Sequence, residues 1–473
     1  MLTKPPIAPL LPYLLLAVFF VVGFAARPII PPDETRYLTI AWEMYLRESW
    51  FVPTLNFEPY FQKGPLLFWL IDLGWEIFGV SRAAALVVIF AISASIIYLT
   101  QRLSRALFPN MEGMAERAPW LLLGSVPFLI YASLIFFDLL LTALVVASFL
   151  ALIRLSKDGD WRHAALAGLF LGLCLLAKGP VVFIHVGFPV AFYSLWRDPV
   201  SSITPRQFYR RLPIAVLVAA MMPVAWLGLA FHQAGWDYAY NLVWRQAAGR
   251  ISGSLEGAHV RPFYFYLLLL PVMLLPWVLS WDMWRLRPVR RLYSGEGLDR
   301  GGQRILLFLG LWLLLELVLF SLISGKQPHY LMPLLPVLIV LFAYLMAAIP
   351  FKAFPISSGA MVALFCVGQL AVFPFLPERY DLEPLAEFVA GQSGADWGFA
   401  GHYQGQVGFL SRAEKPVANV DEKQIDEWLQ AHPKGYVIAR ASCCKDRTSR
   451  IVFGDASQGR SWIILGGELV SRR

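Results

Sequence analysis

Eleven long apolar stretches alternate with short polar links along the chain, at 10–26, 83–100, 119–137, 139–153, 164–177, 179–196, 212–231, 263–281, 305–325, 331–349 and 353–377. A helix needs about 20 apolar residues to cross the bilayer core, and most of these stretches approach that length. With 58% hydrophobic residues, the composition fits no soluble globular class. The sequence therefore predicts an all-α polytopic membrane protein with about eleven transmembrane helices.

Lysine and arginine are unevenly distributed over the links. If the N-terminus faces the cytoplasm, the inner links carry eighteen of these residues and the outer links carry ten. Because positive charge concentrates on the cytoplasmic side, we expect a cytoplasmic N-terminus. An odd number of crossings then places the segment after residue 377 outside. The first stretch runs into Arg27-Pro28 rather than a small-residue cleavage site, so it is interpreted as a span.

The formal net charge of +8 comes mostly from basic clusters in the inner links. Clusters of this kind orient the chain and contact anionic lipids. Membrane lipids are therefore expected as partners, and nucleic acid is not.

The composition changes after residue 377, and two domains are expected. Residues 1–377 form the transmembrane domain, which includes a long outer loop at 27–64. The remainder, 378–473, combines strand-like runs with helix-like patterns, at 436–439, 451–453 and 462–465 for the strands and at 383–390 and 421–430 for the helices. This pattern predicts a small C-terminal extracytoplasmic α/β domain.

The sequence of the outer loop predicts helices that lie along the membrane surface. Asp33 follows two prolines and is suited to cap a helix that starts at Glu34. An apolar stripe follows at helical spacing, formed by Tyr37, Ile40, Ala41 and Met44, while the residues between stay polar. A second interfacial helix is expected at 65–79. Taken alone, Asp33 could be only a cap, Glu34 only a first-turn acid that complements the helix dipole, and Lys63 only an interface anchor.

Ionisable residues recur at the outer ends of the spans and in the outer links, namely Asp138, Lys178, Lys326, His329 and Tyr330, with His232, Arg245, Arg250 and His259 in the loop at 232–262. At membrane depth such residues are costly unless they pair or face a water-filled cavity. We therefore expect them to share one cavity that opens outward. Inside the spans, Glu316 and His185 are interpreted as buried packing or hydrogen-bonded residues.

These residue types point to a class of reaction. Lysine and arginine stabilise a developing phosphate charge, and a carboxylate can remove a proton from a hydroxyl or amine. Together they suggest displacement of a lipid-phosphate leaving group from a sugar carbon. Such a leaving group is already a stable anion, so one carboxylate base and a cationic clamp are sufficient. A direct displacement inverts the sugar carbon.

Several segments resemble one family. They are PPDETRYLTIAWEM from Pro31, YFQKGPLLFW from Tyr60, FFD ending at Asp138, LAKGP around Lys178, AHVRPFYFYLLLLPVMLLPW from Ala258 and SGKQPHYLMPLLP from Ser324. In this order they resemble blocks of the lipid A aminoarabinose transferases (ArnT-like) and the related protein mannosyltransferases, which use polyprenyl-phosphate sugars and belong to the C-type glycosyltransferase superfamily. The resemblance covers most of 1–350. It implies a glycosyltransferase of the bacterial inner membrane with a periplasmic catalytic cavity and a periplasmic C-terminal domain.

The resemblance also assigns roles to single residues. Asp33 matches the aspartate of the first loop, the candidate base, with Glu34 beside it, and Asp138 matches a second aspartate expected to take part in catalysis. Lys63 matches a lysine that contacts the donor phosphate, although the usual Lys-Pro-Pro is here Lys63-Gly64-Pro65. The full set expected to bind the donor is Arg36, Tyr37, Tyr60, Lys63, Lys178, Arg245, Lys326 and Tyr330.

A metal site is implied only in part. His259 matches a histidine that binds zinc together with a glutamate in the aminoarabinose enzymes, but the glutamate position before Lys63 is occupied here by Gln62. An amide is a poor zinc ligand beside a carboxylate and an imidazole. Another divalent ion, magnesium or manganese, near Asp33 and Glu34 is the alternative.

The expected donor is a polyprenyl-phosphate sugar, and the acceptor is left open among a lipid A-type lipid, a glycan and a protein. Two other function classes also stay open. A lipid-linked sugar transporter or flippase would need polar residues on both membrane sides and usually internal repeats, and neither is visible in the sequence. A non-catalytic receptor would bind its partner through the C-terminal domain.

Overall fold

A computed structural model of the chain describes residues 9–198, 201–242, 260–280, 287–375, 380–392, 394–454 and 462–467. These residues are largely helical and form two compact units. The first unit comprises Met1–Val21, Phe61–Leu67 and Arg82–Cys366. The second comprises Val22–Tyr60, Phe68–Ser81 and Val367–Arg473, and it therefore combines most of the first outer loop with the C-terminal segment.

Apolar helices make up most of the first unit. Its longer helices are Leu11–Ala26, Arg82–Leu107, Met114–Leu123, Phe137–Asp158, Trp161–Lys178, Val182–Ala191, Pro205–Tyr240, Phe265–Met273, Arg300–Leu322, Leu335–Leu345 and Ala353–Val372, with shorter ones at Val126–Tyr131, Tyr193–Trp196 and Arg287–Ser294. Across the described residues, seven helical stretches are long and apolar enough to cross a membrane by length and composition, and Leu11–Ala26 is a shorter apolar helix. The expectation of a polytopic helical membrane protein is confirmed, whereas a count of eleven crossings stays a prediction.

Two consecutive spans form a helical hairpin in the first unit. Helix Phe137–Asp158 ends at Gly159, which adopts a left-handed φ of 67°, and Asp160 then caps helix Trp161–Lys178 by accepting a hydrogen bond from the backbone N–H of Arg162. A connection this short makes the two helices antiparallel neighbours. The start of the first helix therefore lies beside the end of the second.

Two glycines set a close helix contact within the first unit. A Cβ atom at Gly168 would lie 2.3 Å from the carbonyl oxygen of Ala215, and one at Gly172 would lie 2.9 Å from that of Ala219. Small residues spaced four apart let membrane helices approach until their backbones touch, since apolar burial drives little association inside a bilayer. The contact fixes helix Trp161–Lys178, and with it the position of the residue at its C-terminal end.

In the second unit, the outer loop begins with helix Asp33–Leu46, hereafter the loop helix. Its predicted apolar stripe is buried, as all four of its residues are at most 4% exposed. The predicted cap is wrong: Pro32 occupies the N-cap position without a side-chain cap bond, and Asp33 is the first helical residue. A helix is present at Leu66–Phe78, where the sequence predicts the second interfacial helix, and its place at the membrane surface stays a prediction.

A two-stranded hairpin, Thr54–Leu55 paired with Glu58–Pro59, follows the loop helix. Its turn residues Asn56 and Phe57 both have positive φ, 58° and 63°. Two-residue hairpin turns need this backbone conformation, which a phenylalanine rarely adopts. Glu43 of the loop helix stabilises the turn, because its carboxylate accepts hydrogen bonds from both backbone N–H groups, at 2.7 and 2.8 Å, and from the Thr54 hydroxyl at 2.7 Å.

The C-terminal segment forms a five-stranded mixed sheet. Its spatial order is Ala418–Val420, Trp397–Ala400, Tyr436–Arg440, Trp462–Gly466 and Ile451–Phe453. The first three strands pair in parallel, and the last two pairings are antiparallel. The small α/β fold predicted for this segment is confirmed, and all three predicted strands are present.

Each face of this sheet packs against one helix. Along strand Tyr436–Arg440, Ile438 points into the core formed with helix Glu383–Gly391, and Val437 and Ala439 point into the core formed with helix Ile425–Ala431. This alternation follows from the two-residue period of a strand.

Candidate active site

The end of the helical hairpin in the first unit holds a buried ion pair. Asp138 lies in the first turn of helix Phe137–Asp158 and is 2% exposed, and Lys178 is the last residue of helix Trp161–Lys178. The Lys178 ammonium donates a hydrogen bond to Asp138 Oδ1. An acid at a helix N-terminus and a cation at a C-terminus each complement the dipole of their own helix. The antiparallel hairpin therefore brings together two charges that its own helix ends already stabilise.

Lys63 belongs to the same cluster. Its ammonium lies 5.7 Å from the ring centroid of Phe137, close enough to act electrostatically on Asp138. The neighbouring residue Gly64 explains this placement, because a Cβ atom there would lie 2.0 Å from the carbonyl oxygen of Leu176. The departure from Lys-Pro-Pro therefore lets the loop lie directly against the last turn of the helix that carries Lys178.

The link at 324–330, which the sequence predicts to be an outer link, completes the cluster. His329 Nε2 lies 3.8 Å from Asp138 Oδ2, and the Tyr330 ring lies beneath the Lys178 ammonium at 4.4 Å. Lys326 is almost fully buried, and its ammonium donates to the carbonyl oxygen of Arg261 at 2.9 Å. Burial lowers the pKa of Lys326 below its usual range.

These residues form one electropositive site around a single carboxylate. Asp138 faces Lys178, Lys63 and His329. Among the described residues, cationic side chains therefore outnumber carboxylates at this site. A buried excess of cations favours an anionic ligand, because such a ligand supplies the charge that water cannot provide there. The structure thus brings together four of the sequence-predicted residues, Lys63, Asp138, Lys178 and Tyr330, and Lys326 lies in the same link as Tyr330.

The second unit holds the other two predicted catalytic residues. Asp33 is paired with Arg36 one turn along the loop helix, and its side chain is 36% exposed. Arg36 also donates to Gln404 Oε1 at 3.3 Å. Burial alone would lower the pKa of Arg36, but Tyr60, Tyr37 and Asp33 outweigh that effect and raise it, so the guanidinium stays charged. Asp33 is therefore a solvent-accessible carboxylate held by a permanent cation.

Glu34 has very different surroundings although it is the next residue. It is 2% exposed, and its two carboxylate oxygens accept from the two terminal guanidinium nitrogens of Arg27. The backbone N–H of Ile30 donates to it as well, at 3.0 Å. These contacts lock the start of the loop helix to the segment before it. Glu34 is thus engaged in structural contacts, and sequence reasoning missed its partner Arg27.

The predicted aromatic residues of this region are buried. Tyr37 and Tyr60 are 4% and 5% exposed, and the Arg36 guanidinium lies 5.6 Å from the Tyr37 ring centroid. Both therefore lie beside the Asp33–Arg36 pair. Whether this pair and the Asp138 cluster face one pocket, as the sequence predicts, stays a prediction.

Arg245 and His259 lie outside the described residues. Among the residues that are described, no group of three or more His, Cys, Asp or Glu is placed to hold a metal ion. Gln62 offers an amide where zinc prefers a carboxylate or imidazole. The described side chains therefore do not fit a zinc site.

A separate buried pair also belongs to the first unit. His185 Nδ1 contacts Glu316 Oε1, and Trp312 donates to Glu316 Oε2 at 2.8 Å. Both ionisable residues are at most 1% exposed. The prediction that they are buried, hydrogen-bonded residues is confirmed.

Comparison with known proteins identifies similar sequences. The profile of the dolichyl-phosphate-mannose-protein mannosyltransferase family matches residues 62–227. The undecaprenyl phosphate-alpha-4-amino-4-deoxy-L-arabinose arabinosyl transferase 1 of Pseudomonas fluorescens is 31% identical over 343 residues, which are 70% of this chain and 57% of that protein. The corresponding transferase of Pseudomonas paraeruginosa is 29% identical over 404 residues, 81% of this chain and 69% of that protein. The chain thus spans less than two thirds of the length of the first of these relatives.

Solved structures show a similar fold. The crystal structure of ArnT from Cupriavidus metallidurans bound to undecaprenyl phosphate matches with a TM-score of 0.78 over 98% of this chain and 99% of that chain. The apo structure of the same protein matches with a TM-score of 0.76. Because the sequences are only 15% identical, this similarity concerns the fold alone.

Proposed function

We propose that this chain, which is ArnT-like in sequence and fold, is an integral membrane glycosyltransferase of the C-type superfamily. It moves a sugar from a polyprenyl-phosphate donor to an acceptor outside the cytoplasm. The observation that carries the proposal is the electropositive cluster around buried Asp138, because a lipid-linked phosphate adds negative charge where the described side chains place more cations than carboxylates. The names of the aminoarabinose transferases to which the chain is similar support an undecaprenyl phosphate donor.

Lys63 and Lys178 hold the donor phosphate in this proposal. Asp138 keeps the Lys178 ammonium in place and offsets part of its charge, so that the site can stay folded without ligand. Tyr330 borders the same site, and Lys326 lies in the same link as Tyr330. As the bond between sugar and phosphate breaks, negative charge accumulates on the leaving phosphate, and fixed cations stabilise it most at that moment.

Asp33 is the proposed base. Its accessible carboxylate takes the proton from the acceptor hydroxyl or amine while that group attacks the sugar carbon. The attack displaces the phosphate directly, so the configuration of the carbon inverts. Arg36 orients the carboxylate, and Arg27 with Glu34 fixes the helix start that carries it. The mechanism requires Asp33 and the phosphate cluster to face one substrate.

The proposed topology follows the distribution of charge in the sequence. The N-terminus is cytoplasmic, and the loop at 27–64 and the C-terminal domain are periplasmic, in a bacterial inner membrane. The acceptor is a lipid A-type lipid, a glycan or a protein. No step requires a metal, in agreement with the amide at Gln62.

The proposal is tested with the purified full-length protein in liposomes that contain an undecaprenyl-phosphate-linked aminosugar. Release of undecaprenyl phosphate is measured with lipid A, an oligosaccharide and a peptide as separate acceptors. Lys63→Ala is expected to raise the donor KM about 10- to 100-fold, because a charge-assisted contact worth about 1.5–3 kcal/mol is lost.

Lys434→Ala is the matched control, since Lys434 is an exposed lysine of the C-terminal domain. An unchanged donor KM in Lys63→Ala would contradict the phosphate clamp. Binding and movement of the donor across the membrane without transfer would favour the transporter.

A further inference from the structure

A segment of the C-terminal domain, residues 403–417, packs along the loop helix, and both belong to the second unit. Thr39 is at the centre of this contact and is 1% exposed. Its hydroxyl donates to the carbonyl oxygen of Gly405 at 2.9 Å and accepts from the backbone N–H of Phe409 at 3.0 Å. One side chain thus satisfies two buried backbone groups of a segment more than 360 positions away.

Two glycines make this approach possible. A Cβ atom at Gly408 would lie 2.5 Å from Thr39 Cγ2, and one at Gly405 would lie 3.0 Å from Thr39 Cβ. Gly405 also has a φ of 77°, which few other residues adopt. The segment is therefore shaped to the surface of the loop helix.

Further contacts join the segment to Trp42 of the loop helix, to the hairpin turn and to helix Leu66–Phe78. Trp42 Nε1 donates to the Ala413 carbonyl oxygen at 2.9 Å. Asn56 forms a reciprocal pair with Val417, donating to its carbonyl oxygen at 2.8 Å and accepting from its N–H at 2.7 Å. Phe409 stacks on Trp75 with a centroid distance of 5.3 Å.

At the N-terminal end, the contact reaches the proposed base. Gln404 accepts from Arg36, and Arg36 is paired with Asp33. The C-terminal domain is thereby connected to the carboxylate through one guanidinium. The contact through Thr39, one turn further along, limits how far the helix can rotate or shift.

We infer that residues 403–417 of the C-terminal domain are a positioning element for Asp33, with Thr39 and Gln404 as positioning residues. The inference rests on the proposed transferase function and assigns a role to the C-terminal domain within it. Small displacements of a catalytic group lower the rate of the chemical step more than they lower substrate binding. A merely structural contact would change stability and leave kcat unchanged.

The test uses the full-length protein in liposomes and compares Thr39→Val, Thr39→Ser and Gln404→Ala. Thr39→Val keeps the shape and removes the hydroxyl, and Thr39→Ser restores it. We expect Thr39→Val and Gln404→Ala to lower kcat about 10- to 100-fold while the donor Kd stays within about twofold. Thr39→Ser is expected to recover most of the rate.

Gln430→Ala is the matched control for Gln404→Ala, because Gln430 is an exposed glutamine of helix Ile425–Ala431 and lies outside residues 403–417. Its kcat should equal that of the wild type. If Thr39→Val does not fold, the kcat and the donor Kd of Gln404→Ala test the positioning role. An active wild type with unaffected variants refutes the positioning role alone, whereas an inactive wild type refutes the proposed function itself.

Discussion

Asp138 and Asp33 both lie in the first turn of a helix, yet their surroundings are opposite. Asp138 is 2% exposed and faces Lys178 and His329 from other elements. The Asp33 side chain is 36% exposed and pairs with Arg36 of its own helix. A buried carboxylate needs fixed cations merely to remain charged, whereas an exposed carboxylate keeps its charge in water.

Because of this difference, we expect substitutions at Asp138 to affect mainly folding stability and substitutions at Asp33 to affect mainly the catalytic rate. Removing one partner of a buried pair leaves an uncompensated charge, which costs much folding free energy. The Asp33–Arg36 pair is partly exposed, and such a pair contributes less to stability than a buried one, so its loss is visible mainly if the group acts on substrate. The two aspartates should therefore give distinct mutational phenotypes.

The largest expected effect is a fall in the kcat of the Asp33→Asn variant. Loss of a general base lowers kcat about 10²- to 10⁴-fold, while stability should change by less than about 1 kcal/mol. Release of undecaprenyl phosphate and thermal unfolding in detergent measure the two quantities. Glu387→Gln, an exposed acid on helix Glu383–Gly391, is the control. Normal turnover by Asp33→Asn would remove that residue from its proposed role.

The next effect is on the stability of Lys178→Met. The variant leaves buried Asp138 without its hydrogen-bonded cation, and we expect a loss of about 3–5 kcal/mol. The double variant Lys178→Met/Asp138→Asn should recover most of this loss, because both charges are then gone. Chemical unfolding in detergent measures all three proteins. A single variant as stable as the wild type would contradict the buried pair.

Asp72 on helix Leu66–Phe78 provides a sharper contrast, because it is buried and no described cation pairs with it. It is 0% exposed, and neither of its carboxylate oxygens has a hydrogen-bond partner among the described residues. Burial, reinforced by Glu76, raises the pKa of Asp72 to about 8. The folded state therefore binds a proton that the unfolded state releases near pH 4.

The contribution of Asp72 to the free energy of unfolding is therefore complete below about pH 4, and it is lost as the pH rises towards about 8. Asp72→Asn should remove this dependence, and its stability relative to the wild type should grow by about 2–4 kcal/mol between pH 5 and pH 8. Thermal unfolding at the two pH values measures the difference. A constant difference would show that Asp72 does not titrate on unfolding.

The sequence predicted those features that depend on local pattern. The buried stripe of the loop helix follows from helical periodicity, and strands Tyr436–Arg440 and Trp462–Gly466 follow from apolar runs. The placement of Asp138 and Lys178 follows from counting span ends. Strands Trp397–Ala400 and Ala418–Val420 were missed, because segments of four and three residues carry little periodicity.

Features that depend on distant contacts could not be predicted in this way. Asp33 and Glu34 are adjacent and chemically alike, and only the fold shows that Arg27 engages the second. A boundary drawn from composition at residue 377 also separates the C-terminal domain from the loop helix, although contacts such as Thr39 with Gly405 join them in one unit. A hydrogen bond between residues that are 366 positions apart cannot be recognised from the sequence around either residue.

The hairpin that joins Asp138 to Lys178 has a consequence for biogenesis. Only 40 positions separate the two residues, so both exist once synthesis has passed the second helix of the hairpin. The pair can therefore neutralise itself during membrane insertion, long before His329 is translated. A nascent chain would carry this aspartate and lysine into the bilayer already matched, and later helices would be added around a finished salt bridge.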